Sequence, residues 1–303
     1  MRNFLNYVSF GLGLLLLSVS LQSCSDSKAK SEQGIKQMAQ DHKVNYQTFK
    51  INTQGTTIRD RFTNVDSRYE RRATNDYGTW LLNQTLRPVG YNTHYYNGIE
   101  KYNKCQTGVL KIDFIGKDLQ QCADACIRIR AEYLWSRKMY DKIHFKNTPG
   151  FNIEYRKWAE GYRVHFDKKW NASWNKDAKQ DYSYANFRKY LYFVFTYCGT
   201  LSLSKEMQSI DLSEIQPGDI LINGGSPGHA VTVLDVLHEK NGNGIKLMLC
   251  QSYMPAQEIE ILANPYARNS PWFEIRDAYN PPTVIETPEW GFEGNCAMRW
   301  EDL

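Results

Sequence analysis

Cys122, His229 and Gln251 are the residues of this chain whose types and order could do chemistry together. The cysteine stands in "DLQQCADACIRIRAEYLW", the histidine in "QPGDILINGGSPGHAVTVLDV" and the glutamine in "CQSYMPAQEIEIL". A thiol in the first turn of a helix meets free backbone N–H groups and the positive end of the helix dipole, and both favour thiolate. The same N–H groups can hold an oxyanion. An imidazole opening a strand can take the thiol proton, and an amide on the following strand can fix its tautomer. Nucleophile, base and orienting group are the parts needed to break an amide through an acyl-thiol intermediate. Backbone at Gln121, beside the cysteine, and Gly228, in the glycine-rich loop before the histidine, are the candidate oxyanion and substrate contacts.

Each residue also has a plainer reading. Cys122 lies on the apolar stripe of its own helix and could be a buried core thiol. His229 could bond local carbonyls, and Gln251 could cap a loop. Cys126 and Cys198 read as core. Cys250 points to the other face from Gln251 and reads as core or as a permuted nucleophile. Asp219 reads as a turn residue. Asp235, six residues from His229 on one strand, lies roughly 20 Å away at strand rise and cannot orient that imidazole. Trp158, Tyr162, Trp170 and Trp174 could line a groove for sugar or peptide, or belong to the core.

The sequence contains no phosphate-binding glycine loop, HExxH, EF-hand loop or GxSxG elbow, and no Cys/His spacing of the metal-binding kind. Neither a metal nor a cofactor is therefore expected. The net charge of +4 over 303 residues, without a dense basic run, disfavours nucleic acid as a partner.

The elements that must position these residues follow from pattern. A short helix is expected within 77–86 and a strand over 108–116. A helix follows from the N-cap Asp118 to about residue 140. Another spans 183–199, with Ser183 as N-cap and Gly199 just past its end. The tryptophan-rich stretch after residue 158 gives no clear period. After residue 215 the character changes. "QPGD" is a turn with Gly218 at positive φ, "ILIN" and "HAVTVLDVL" are strands, and "NGNG" reverses the chain into "IKLMLCQSY". Helices first and an antiparallel meander later is an α+β pattern.

Cys122, "PGD" at 217–219, "GHA" at 228–230 and Gln251 together resemble the papain-like cell-wall peptidases and amidases of the NlpC and CHAP type. The resemblance implies a papain-like α+β fold, a nucleophile on a helix, a base on a strand and a polar third residue on the next strand. Two departures stand out. More than a hundred residues separate Cys122 from His229, so a large helical insertion is expected between them, and "QQCADA" replaces the usual Asp-Cys-Ser. Over nearly the whole mature chain, the quoted blocks and "SYANFRKYLYFVFTYCGTLSLSKE" resemble a bacterial family described as domain of unknown function 4846.

The first residues, "MRNFLNYVSFGLGLLLLSVSLQSC", read as an export signal ending in a Leu-x-small-Cys pattern. The pattern resembles a bacterial lipobox and implies cleavage before Cys24 and lipidation of its thiol. The expected organisation is a signal peptide over 1–23, a lipidated, flexible tether over 24–55 and one globular domain over 56–303. Two function classes remain open. One is a thiol hydrolase of the cell envelope acting on amide bonds, with peptide or peptidoglycan fragments as substrate. The other is a lipid-anchored binding or scaffold protein of the envelope, without turnover.

Overall fold

The structure is a computed structural model that describes residues 49–302 apart from 116, 268 and 269. The expected signal peptide, Cys24 and most of the expected tether lie outside the described residues. Among the described residues no helix is long and apolar enough to cross a membrane. The chain mixes helix and sheet and is α+β. Its first described strand, Phe49–Ile51, pairs antiparallel with Phe62–Asn64, so the folded unit begins earlier than residue 56.

A nine-stranded antiparallel sheet carries the fold. Its centre is the long strand His229–Glu239, flanked by Ile220–Asn223 on one side and Ile245–Gln251 on the other. Beyond Ile245–Gln251 come Glu260–Leu262 and then Gln106–Val109. The central strands are apolar on both faces because both are covered. Ala230, Thr232 and Cys250 face the helices, whereas Val231, Val233 and Leu249 face a second cluster that contains Leu212, Ile285 and Phe292. The turn at 216–219 is as expected. Gly218 has φ +100°, and the Asp219 carboxylate accepts from Gln216 N at 2.8 Å and from Arg299 Nε at 2.9 Å. Asp235 is fully buried and held by a bidentate contact to Arg71, far from His229.

The helix that carries the cysteine runs Cys122–Ser136. Asp118 is not its N-cap. Gln121 takes that position, and Asp118 accepts from Ala256 N at 2.7 Å instead. The helix stops short of residue 140 because Lys138 adopts φ +58°, closing the end with bonds from Lys138 N to Trp135 O and Met139 N to Leu134 O. It is buried on almost every side, and its buried arginines are paired. Arg128, wholly buried, meets Glu132 at 2.6 Å and Tyr184 Oη at 3.1 Å. Tyr184–Tyr197 packs beside it through Phe187, Tyr190, Leu191 and Val194, spaced as one helical stripe behind the N-cap Ser183. Gly199 does not end that helix in a left-handed turn. It is extended, with φ −159°, and serves as the N-cap of the next helix, Thr200–Glu206.

Two other expectations need correction. The strand over 108–116 is only Gln106–Val109. The insertion between Cys122 and His229 is not wholly helical, since it contains two β-hairpins, His144–Lys146 with Asn152–Glu154 and Tyr162–Phe166 with Ala172–Lys176. The aromatic stretch that gave no period belongs to these hairpins. Trp158 is core, bonded to Asn186 Oδ1 at 3.1 Å, whereas Trp170 sits exposed at a hairpin tip. The four aromatic residues therefore do not share one surface role.

Candidate active site

His229, Gln251 and Glu260 form a row across three adjacent strands. Gln251 is paired directly with Glu260. The register of the central pair matches Thr232 with Cys250, which sets Gln251 opposite Val231 and diagonally beside His229 on one face. That face is the one away from the helices. Here His229 Nε2 lies 2.8 Å from Gln251 Oε1.

The orientation of the Gln251 amide follows from its other partners. Its Nε2 donates to Glu260 Oε1 at 3.1 Å and to Glu289 Oε2 at 2.7 Å. Ionised carboxylates only accept, so the NH2 end must face them and the carbonyl must face the imidazole. A carbonyl oxygen cannot donate. His229 must therefore carry its proton on Nε2, leaving the Nδ1 lone pair free. Two carboxylates thus dictate, through one amide, which imidazole nitrogen is basic.

Those carboxylates are balanced by a buried cation. Lys101 Nζ, on a side chain 2% exposed, lies 2.6 Å from Glu260 Oε1 and 2.6 Å from Glu289 Oε2. Burial pulls the ammonium down, but Glu260 leads the opposing contributions and Lys101 ends above the ordinary lysine value. Burial pushes Glu289 up, but its bonds to Lys101, Asn103 and Cys105 together outweigh burial, so this carboxyl ends below its usual range. Thr93 Oγ1 donates to the remaining Glu260 oxygen at 2.7 Å, and Asn103 Nδ2 to the remaining Glu289 oxygen at 3.0 Å. Cys105, Glu260 and Glu289 bring ligand atoms within 4.8 Å of one another, which is metal-like spacing. Lys101 Nζ already stands among them, 3.3 Å from Cys105 Sγ, so the cation of this cluster is the ammonium.

Cys122 approaches from the helix side. The paired ladder between the two central strands ends at Thr232 and Cys250, so Ala230 N–H has no strand partner there. It turns to the Cys122 thiol, as do the helix-terminal N–H groups of Ala123 and Cys122. Burial nevertheless dominates and pushes the thiol above its ordinary value. The thiol sits by the backbone of the residue that follows His229. The Tyr253 ring packs on His229 at 5.1 Å between centroids, with Trp290 at 5.5 Å and Phe292 at 5.7 Å.

The structure does not support Gln121 as an oxyanion donor. Its backbone N–H is taken by the Asp124 carboxylate at 3.0 Å and its side chain turns to Asp118. Gly228 is needed for local packing: a Cβ there would meet Thr200 Oγ1 at 2.5 Å. Among the described residues, Cys105, Cys122, Cys126, Cys198, Cys250 and Cys296 are all free thiols. Cys250 is fully enclosed and burial raises it far above the usual thiol range, which removes it as a permuted nucleophile.

The profile of the family described as domain of unknown function (4846) matches residues 58–299. The chain belongs to that family. Neither the curated proteins nor the solved structures compared with it contain a match. The family segment holds every member of the His229 network, from Thr93 to Phe292, and leaves Cys24 outside.

Sequence reading missed Lys101, Glu260, Glu289, Tyr253 and Trp290. Only Glu260 left a signal, an acid flanked by Ile259 and Ile261 in a strand too apolar to face water.

Enclosure by aromatic rings pulls the His229 imidazole down to about 4, against a smaller upward effect from Gln251. It is neutral at pH 7. In NMR of ring-labelled protein, His229 is expected to titrate at about 4 and to show the Nε2–H tautomer at pH 7. Titration near the ordinary ~6.5 or an Nδ1–H tautomer would contradict the amide argument.

Proposed function

We propose that this protein is a lipid-anchored thiol hydrolase of the bacterial cell envelope, built on a papain-like fold and cleaving amide bonds in peptidoglycan peptides. One observation carries the reading: an imidazole with its Nε2 fixed by Gln251 and no bond to its Nδ1 among the described residues, one position before the Ala230 backbone that favours the thiolate of the helix-terminal Cys122. A histidine buried only for packing has no need of two carboxylates and a lysine behind its partner. The placement on the cell envelope rests on the Leu-x-small-Cys pattern ending at Cys24, and the substrate class on the resemblance to NlpC- and CHAP-type enzymes.

In this reading the Cys122 thiol loses its proton to His229 Nδ1 as sulfur attacks the amide carbonyl. Backbone N–H groups at the start of the helix offset the charge that develops on the carbonyl oxygen. His229 returns the proton to the leaving amine, giving an acyl-thiol, and then activates water to release the acid and restore the thiol. The raised thiol and the depressed imidazole keep the empty site as a neutral pair, so thiolate forms only as substrate enters.

That same neutral pair is what favours the second reading, a non-catalytic binding or scaffold protein. The test is incubation of the purified soluble domain with muropeptides, followed by mass spectrometry. The expected outcome is a hydrolysed peptide bond with wild type and none with Cys122→Ala. Intact muropeptides and no acyl adduct on Cys122 would leave the binding reading.

A further inference from the structure

A second concavity lies away from His229, against the C-terminal half of the Cys122 helix. Arg130, eight residues after the cysteine and so about 12 Å along the helix axis, lines it. The pocket measures about 260 Å³, and its apolar part is formed by Leu134, Phe145, Met207 and Trp300, with Phe145 and Trp300 edge to face at 5.8 Å. Its polar part brings the basic Arg130, Lys142 and His144 together with the acidic Glu206, Glu301 and Asp302.

Arg130 is 3% exposed, and its guanidinium lies against the rings of Tyr77 and Tyr133 at 4.9 and 5.6 Å. It makes one hydrogen bond among the described residues, from Nη2 to Asp302 Oδ1 at 2.5 Å. A guanidinium offers five N–H donors, so most of this buried cation's capacity is unused. Asp302 is an unusual partner for a buried arginine. Its side chain is one-third exposed, lies in a turn and reaches Lys142 with its other oxygen at 3.7 Å. His144 adds a further unmet group: its Nδ1 is buried without a hydrogen bond, with Glu206 at 3.6 Å.

We propose that this pocket binds a small monocarboxylate with an apolar body, and that the Asp302 carboxylate occupies the ligand's place when the pocket is empty. The ligand carboxylate would span Arg130 and Lys142, where bidentate pairing with a guanidinium is available. Its apolar part would lie on Phe145 and Trp300. An amide or alcohol of the same shape could not replace a charged acceptor at a buried guanidinium without leaving that charge unpaired. The inference is independent of the thiol chemistry, since no residue is shared.

The probe is 3-phenylpropionate, titrated calorimetrically into the soluble domain, with 3-phenylpropanamide as the neutral match. Wild type is expected to bind the acid and not the amide. Asp302→Asn removes the internal competitor and is expected to bind the acid about tenfold more tightly, a free-energy gain of about 1.4 kcal/mol. Lys142→Met, at a half-exposed position that tolerates change, is expected to weaken it. Equal affinity in Asp302→Asn and wild type would overturn the proposal, as would equal binding of acid and amide, or no binding of the acid to either protein. Should Asp302→Asn fail to fold, the acid-to-amide ratio in wild type and its loss in Lys142→Met decide the matter.

Discussion

Replacing Lys101 by Met will destabilise the protein by about 3–5 kcal/mol at pH 7, the range expected when one partner of a buried ion pair is removed. Met matches lysine in length and supplies no charge. Glu260, wholly buried, and Glu289 would then converge on one amide with no cation between them. One of the two carboxyls must take a proton to avoid two buried like charges. Its folded pKa would then exceed its unfolded value. Stability tied to such a group is fully present below the unfolded pKa and is lost as pH rises through the folded one. The deficit against wild type should therefore shrink as pH falls towards ~4.5, near the ordinary glutamate value. Urea unfolding at neutral and acid pH measures both. Adding Glu260→Gln to Lys101→Met removes one of the crowded charges and should recover part of the loss. A deficit below about 1 kcal/mol would mean that the cluster is wet and that Lys101 contributes as a surface pair does.

For the amide hydrolysis proposed above, His229→Ala is expected to lower kcat by 10²- to 10⁴-fold, the usual contribution of a positioned general base. KM should change little, because the imidazole serves proton transfer more than substrate grip. A structural role would give another signature, namely lower thermal stability with an unchanged pH profile in the surviving fold. The acid limb of the wild-type profile should fall near 4, where His229 gains its proton, and should vanish in the variant. Alkylation of Cys122 by iodoacetamide supplies a substrate-free check. Burial holds the thiol high, so labelling should be slow at neutral pH and rise only above the pH range of an ordinary free thiol. Fast labelling at pH 6 would point instead to a preformed thiolate–imidazolium pair and would discard the neutral resting state argued above.

How much of this was legible beforehand differs by element. Ser183, the "PGD" turn and the "NGNG" reversal each depend on local chemistry, a cap or a φ preference, and each is found where pattern places it. The Cys122 helix was misjudged at both ends because its limits are set at a distance. Asp118 is drawn away by Ala256, and Lys138 turns left-handed where the apolar period continued. The same split holds at the site. His229 and Gln251 meet because hairpin register brings them together, and register can be read from a strand–turn–strand pattern. Lys101 and Glu289 are separated by nearly two hundred residues and join only in three dimensions. No local property marks either of them as a member of a charge cluster.

The early end of the Ile245–Gln251 strand has a wider meaning. Were the pairing of the two strands to continue two residue pairs past Thr232 and Cys250, to Ala230, its N–H would be spent on a neighbouring carbonyl instead of favouring the Cys122 thiolate. The Ala230 N–H that favours the Cys122 thiolate is thus a donor left over by an unfinished ladder.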